Sequence, residues 1–335
     1  MKRIYGDMNR GLNSKVLYES KDFCFELTPD WGNLPANLRY TPTPSACCDK
    51  DDNVYLVTRD YDHPIVVLNA EGDYVRSLGK GLFVFTHAIY VSKQNTLLCV
   101  DCNYHVVREL TMDGEHIRDF GNFGKPSDSG YDAGVWRRRQ MEGDLIPMDI
   151  LYNDKWAFME SIRTIKRAAP PFNRPTSVAQ NSKGEYFFTD GYSNVAVHKF
   201  SAQGELIKTW GGLGTEPGKF LVPHGIWIDK LDRVWVADRE GNSVQVFDEE
   251  GTCLAYVSKG LFQPSEIWSD DEFIYVGERG GLTVFNMDME IVAQIGYYLS
   301  NLMLHGVCGN SKSELFLTPL VKDNPHVLMK MKRVN

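Results

Sequence analysis

The chain has 335 residues, 43% of them hydrophobic and 24% charged, which supplies apolar surface for a large core and places it outside the disordered and collagen-like classes. Its formal net charge is -8 and its longest basic run is Arg137-Arg138-Arg139, so neither nucleic acid nor an anionic membrane is an expected partner. No stretch approaches the roughly 18 consecutive apolar residues that span a bilayer.

The first residues, MKRIYGDMNRGLNSK, are polar and lack the apolar segment of an export leader. Seven cysteines (Cys24, Cys47, Cys48, Cys99, Cys102, Cys253 and Cys308) are odd in number and irregularly spaced, and with that start they predict reduced thiols in a cytoplasmic protein. The run Phe23 to Gly32, FCFELTPDWG, reads as a strand standing ahead of a series of repeats.

The repeats follow in order. They begin with SACCDKDDNVYLVTRDYDHPIVVLNAEGDYVRSLG from Ser45 and THAIYVSKQNTLLCVDCNYHVVRELTMDGEHIRDFG from Thr86. Residues 122–173 then interrupt the series. This insertion is rich in helix formers, with Trp136, Met141, Leu145, Leu151, Trp156, Phe158, Met159 and Ile162 as apolar positions, while Gly143 and Pro147 divide it into two short predicted helices. A long insertion at one face suggests a lid, with a peripheral packing element as the alternative. The series resumes with RPTSVAQNSKGEYFFTDGYSNVAVHKFSAQGELIKTWG from Arg174, continues from Pro223 and Gln263, and ends with a sixth unit from Met303 that lacks its last strand.

Each unit reads as four short strands: a small-residue inner strand, a β-branched and aromatic strand often closing on Asp (Asp101, Asp190, Asp238), a third strand, and an outer strand after a Gly turn. This pattern predicts an all-β fold, a six-bladed β-propeller spanning 1–335 as one domain, with a helical insertion at about 122–173. Residues 23–32 resemble the outer strand LIKTWG of the third unit and are expected to complete the last blade, which removes two exposed sheet edges. The repeats are similar to those of NHL-type propellers.

Aligning the inner strands brings one position into register: Ser45, His87, Thr176, His224, Ser265 and His305. Histidine alternates with a small hydroxyl residue around the ring. Imidazoles on alternate blades are related by a third of a turn and converge near the axis, leaving a fourth coordination position open, as a catalytic Zn²⁺ or another divalent transition metal requires. The remaining histidines (His63, His105, His116, His198 and His326) read as surface or packing residues on outer strands and turns. Arg59 in LVTRDYD and Arg239 in VADREGN lie where the second strand meets the loop on the same face, suited to hold a carboxylate beside a metal. Each has an acidic neighbour, Asp60 or Glu240, that offers an ordinary ion pair instead. Arg279 in GERGG occupies the slot matching Arg239. Tyr192 in TDGYSN sits at the loop end of the third unit, where it is placed to act as a base. The pair Cys99 and Cys102 ends a strand instead of opening a helix, which argues against a redox or zinc motif.

The runs FNRPTSVAQNSKGEYFFTDGYSN and WGGLGTEPGKFLVPHGIWIDKLDRVWVADREGNSVQVF closely resemble peptidyl-α-hydroxyglycine α-amidating lyase, a family in which zinc held by three propeller histidines cleaves a carbinolamide to an amide and glyoxylate. The resemblance runs from about Arg59 to His305. It implies zinc ligands at His87, His224 and His305, active-site roles for Arg59, Tyr192 and Arg239, and a site-lining Met303. Two departures change what is implied. Gly306 follows His305 where the family has an aspartate that helps to hold a structural calcium, so calcium is not implied here; Ser193 replaces a disulfide cysteine. The expected function is a zinc-dependent carbon–nitrogen lyase acting on a small anionic molecule with a metal-bound hydroxyl. A metal-dependent hydrolase or hydratase, such as a lactonase, and a non-catalytic NHL binding scaffold are the alternatives.

Overall fold

The computed structural model describes residues 16–38, 41–148, 150, 153–296, 303–320 and 327–334. Two strands open the chain, β1 (Val16–Ser20) and β2 (Phe23–Thr28). Blade one is β3 (Ser45–Cys48), β4 (Val54–Val57), β5 (Ile65–Leu68) and β6 (Tyr74–Leu78). Blade two is β7 (Thr86–Val91), β8 (Thr96–Asp101), β9 (Val106–Thr111) and β10 (His116–Gly121). Blade three is β11 (Ser177–Gln180), β12 (Tyr186–Asp190), β13 (Ala196–Phe200) and β14 (Leu206–Gly211). Blade four is β15 (Pro223–Ile228), β16 (Val234–Asp238), β17 (Ser243–Phe247) and β18 (Cys253–Val257). Blade five is β19 (Pro264–Ser269), β20 (Phe273–Glu278), β21 (Gly281–Asn286) and β22 (Ile291–Ile295). Blade six holds β23 (Gly306–Gly309), β24 (Glu314–Thr318) and β25 (Met329–Arg333).

Each blade is an antiparallel meander, and the inner strands β3, β7, β11, β15, β19 and β23 contact one another in a closed ring, giving a six-bladed β-propeller. In blade six β2 pairs with β25, with Phe25 opposite Arg333, and β1 pairs with β2 as a fifth strand that has no counterpart in the repeat. The β2 strand stops at Thr28 because Pro29 has no N–H to continue the ladder.

The second and third strands are buried on both faces, since each blade is sandwiched between neighbours. Hence β12 and β17 are buried throughout and show none of the alternation of a half-exposed strand. Phe120, Phe172, Phe188 and Phe200 interlock between blades two and three at centroid separations of 5.1 to 5.9 Å, each contributing roughly 1.5–3 kcal/mol by burial. The acids that end the second strands fasten the segments leading into the inner strands. Asp101 accepts from the Val84 and Phe85 amides (2.7 and 3.2 Å), and Asp238 from the Val222 amide (2.6 Å). They therefore fix the backbone immediately before His87 and His224.

The insertion folds into α1 (Val135–Met141) and α2 (Asp154–Ile162), the latter capped by Asn153, whose side chain accepts from the Lys155 and Trp156 amides. Ile162 and Ile165 anchor it in the apolar layer of blades three and four beside Phe187, Val197 and Phe220. Among the described residues no helix is long and apolar enough to cross a membrane.

Candidate metal centre

His87 lies on β7, His224 on β15, and His305 just before β23. Their potential ligand atoms all lie within 4.8 Å of one another, and the ring centroids are 4.7, 4.8 and 5.0 Å apart. Each ring is oriented by the next inner strand. The Nδ1 of His87 bonds Thr176 O at 2.6 Å, that of His224 bonds Ser265 O at 2.7 Å, and that of His305 bonds Pro44 O at 2.8 Å. A carbonyl only accepts, so each Nδ1 carries the proton and each Nε2 presents a lone pair to the centre.

Local sequence makes these bonds attainable. A Cβ at Gly225 would stand 2.5 Å from Ser265 O, and one at Gly306 would stand 2.8 Å from Pro44 O. Glycine after His224 and His305 thus lets the neighbouring strand come close enough to receive the imidazole. In blade two Ala88 takes this place, where β7 departs from regular pairing between Thr86 and Ile89.

All three rings are held neutral. Burial first, then the charges of His305 and Arg59, push His87 well below the ordinary histidine range; burial, Arg239 and His87 do the same to His224. Burial and Arg239 bring His305 down to about 3. The Tyr192 hydroxyl lies 2.7 Å from His87 Nε2 and 3.1 Å from His224 Nε2, and Arg239 Nη1 donates to it at 3.2 Å. One phenolic proton serves only one of the two lone pairs. The other, with that of His305, faces the centre as an uncommitted donor, which is what a divalent cation takes.

His305 of the triad borders a cavity of about 480 Å³ that is also lined by Arg59, Arg239, Tyr192 and Met303, all expected at the site from sequence. Arg239 is buried and pairs with Glu240 at 3.1 Å, so the ion pair and the site contact coexist. Arg59 stacks on Phe85 at 3.4 Å, and its Nη1 is buried without a partner. Arg279 stands exposed on the lining. Two further residues join them that sequence reasoning did not place here. Arg174, half-buried, lies 5.3 Å from the Tyr192 ring, and Phe158 of α2 lies 6.2 Å from it. The only sequence signal for Arg174 was its position ahead of the inner strand of blade three, next to Pro175.

Of the other histidines, His198 is fully buried on β13, a third strand instead of an outer one, where Nδ1 meets Thr209 Oγ1 at 2.8 Å. His63 and His116 pair with Asp60 and Asp119, while His105 receives the Arg174 amide. His326 lies outside the described residues. All seven cysteines are free; Cys99 and Cys102 are buried, and burial pushes Cys102 up to about 12, so neither is a reactive thiolate.

A family model, the NHL repeat, matches residues 220–247, the blade that carries His224. Among curated proteins, peptidylglycine alpha-amidating monooxygenase from Rattus norvegicus is 40% identical over 82 residues, 23% of this chain and 8% of that protein. Probable peptidyl-alpha-hydroxyglycine alpha-amidating lyase from Caenorhabditis elegans is 40% identical over 79 residues, 23% of each chain, and NHL repeat-containing protein 3 from Mus musculus is 33% identical over 81 residues, 24% of this chain and 23% of that one. These matches therefore span less than a quarter of each relative. In fold, virginiamycin B lyase from Staphylococcus aureus aligns over 92% of this chain and 100% of its own with a TM-score of 0.61 at 14% identity. A gluconolactonase from Xanthomonas campestris aligns over 93% and 90% with a TM-score of 0.59 at 12% identity. The chain is a six-bladed β-propeller with an NHL repeat, and over about a quarter of its length it is similar to the peptidyl-alpha-hydroxyglycine alpha-amidating lyases.

Proposed function

We propose that this propeller is a metal-dependent carbon–nitrogen lyase, with Zn²⁺ or another divalent transition metal held by His87, His224 and His305. The observation that carries the reading is three neutral imidazoles, each fixed through Nδ1, converging beside a phenol and guanidinium groups in one cavity. When bound, the metal supplies a Lewis acid that favours ionisation of a hydroxyl group placed beside it. Tyr192, acting as the phenolate with its oxygen within hydrogen-bond reach of two of the imidazoles and of Arg239, takes the substrate's hydroxyl proton. Arg59 and Arg239 orient a carboxylate or carbonyl next to that hydroxyl; as the oxygen's electron pair forms the carbonyl and the C–N bond breaks, Tyr192 returns the proton to the leaving nitrogen. Phe158 of α2 stands over Tyr192 and limits water at the phenol, which gives the insertion the role of a lid. The substrate is a small anionic α-hydroxy amide or a close analogue.

The test is elemental analysis of protein purified without a metal-affinity column, alongside His224→Ala. One zinc per chain, lost in the variant, supports the reading, and turnover is then sought among α-hydroxy amides. A carboxylate carrying solvent ¹⁸O, formed in place of the amide, would replace lyase with hydrolase. Metal absent from both proteins, with the fold intact, would overturn the proposal.

A further inference from the structure

The cavity is more cationic than a single carboxylate requires. Four guanidinium groups line it, from Arg59, Arg174, Arg239 and Arg279, and among the described residues no aspartate or glutamate does. Only Arg239 has an ion-pair partner among the described residues, Glu240. Arg59 Nη1 and Arg174 Nε are buried without any hydrogen-bond partner. A buried guanidinium nitrogen left without an acceptor is costly, and an anion brought by the ligand removes that cost.

The four groups are not equivalent in position. Arg239 reaches the histidines through Tyr192, donating to the oxygen that lies 2.7 and 3.1 Å from His87 and His224 Nε2, and Arg59 stacks on Phe85, two residues before His87. Arg174 also lies over the Tyr192 ring, 5.3 Å from its centroid, but unlike Arg239 it makes no hydrogen bond to the phenol, and its buried Nε has no partner among the described residues. Arg279 is on the solvent-exposed part of the lining. A carboxylate beside the metal would occupy Arg59 and Arg239 and leave Arg174 and Arg279 unanswered.

We infer that the substrate carries a second anionic group, a carboxylate or a phosphate, received by Arg174 with Arg279 at the opening. This rests on the lyase reading only in naming the first anion's place; the second subsite is defined by Arg174.

Isothermal titration at about 0.15 M salt, where exposed charges beyond about 8 Å are screened, tests it with three α-hydroxy acids: 2-hydroxybutyrate with one anionic group, malate with two carboxylates, and 3-phosphoglycerate with a carboxylate and a phosphate. The expected result is about tenfold or tighter binding of malate or 3-phosphoglycerate over 2-hydroxybutyrate, the scale of one charge-assisted contact. Which of the two is preferred identifies the second group. Arg174 has φ +70°, a conformation that asparagine tolerates, so Arg174→Asn is the variant to use, and it should abolish most of the preference. Arg174→Lys should retain part of it, and Lys93→Gln, an exposed charge outside the cavity, should leave it unchanged. The same ratio measured in His224→Ala separates the two readings: the preference survives there even if the metal and the lyase chemistry fail. Equal affinity for all three acids in the wild-type protein, no measurable binding of malate or 3-phosphoglycerate, or a preference unaltered in folded Arg174→Asn would overturn the inference.

Discussion

Gly225→Ala probes how the metal site is oriented without touching a ligand. The added Cβ would stand 2.5 Å from Ser265 O and 2.6 Å from Glu266 Cα, both backbone atoms, where real contacts are no shorter than 3.0 Å. The inner strands of blades four and five must therefore separate by about half an ångström. Added to the present 2.7 Å, that takes the His224 Nδ1 to Ser265 O bond to the outer edge of the N–H···O range, about 3.2 Å. Overpacking costs about 1–3 kcal/mol of stability. Loosening the bond that orients a ligating imidazole lowers metal affinity about 10- to 100-fold, or roughly 1.4–2.7 kcal/mol. Competition with a chromophoric chelator measures zinc affinity, and thermal denaturation measures stability. Gly134→Ala is the control, because the nearest atom to its Cβ, Asp132 Oδ1, would be 3.8 Å away. Zinc affinity unchanged in Gly225→Ala, while His224→Ala abolishes it, would refute the positioning argument.

Tyr192→Phe should retain zinc, because the three nitrogens remain, while turnover falls about 10²- to 10⁴-fold with KM little changed; loss of metal instead would make Tyr192 a structural partner of the imidazoles. Glu266 is buried on β19, where burial raises its carboxyl from 4.5 to about 8. Its raised value gives stability that is complete below about pH 4.5 and lost at about 1.4 kcal/mol per pH unit as pH rises to about 8. Glu266→Gln should therefore gain on the wild type in urea titrations from pH 5 to pH 8 and run parallel above that; a constant gap would show that the carboxyl is not buried in its neutral form. Phe158→Ala should weaken substrate binding more than it lowers metal content, since Phe158 reaches Tyr192 but no histidine is among its ring partners; a variant kinetically identical to wild type would leave the insertion as packing.

The propeller was legible because its signal is repeated. The Asp-ended second strands and Gly turns recur, and the inner-strand register singled out His87, His224 and His305 from eight histidines by comparison with one another. What escaped has no repeat to reveal it. Strand β1 belongs to no blade pattern; it pairs with β2 as a local hairpin on the outer edge of blade six, outside the β2–β25 pair that closes the ring. Arg174 depends on where the ring turns its side chain, and Phe158 on how α2 folds back over blades three and four. Glu266 reads as one polar residue in an apolar strand; only the assembled ring shows it sealed against Ser177 of blade three, which donates to it at 3.2 Å.

The alternation of histidine with small hydroxyl residues has a physical cause that joins the fold to the site. Three ring centroids already stand within 5.0 Å of one another, so histidine on every blade would crowd the axis. Each imidazole also needs an accessible carbonyl on the next blade, and Thr176, Ser265 and Pro44 supply it where the intervening residue is small. One hydroxyl adds a second tie: Thr176 Oγ1 donates to Pro223 O at 2.9 Å, the residue before His224. One threonine thus serves two of the imidazoles, accepting from His87 through its carbonyl and holding the backbone of His224 through its side chain. Thr176→Val keeps the shape, the strand preference and the carbonyl and removes only the hydroxyl. It should destabilise the protein by about 1–3 kcal/mol, as an acceptor at Pro223 is left unanswered in the interior. It should also weaken zinc binding through His224 while the His87 bond persists. If zinc affinity stays at the wild-type value despite the lost stability, the hydroxyls hold the ring together and the metal site is oriented by the carbonyls alone.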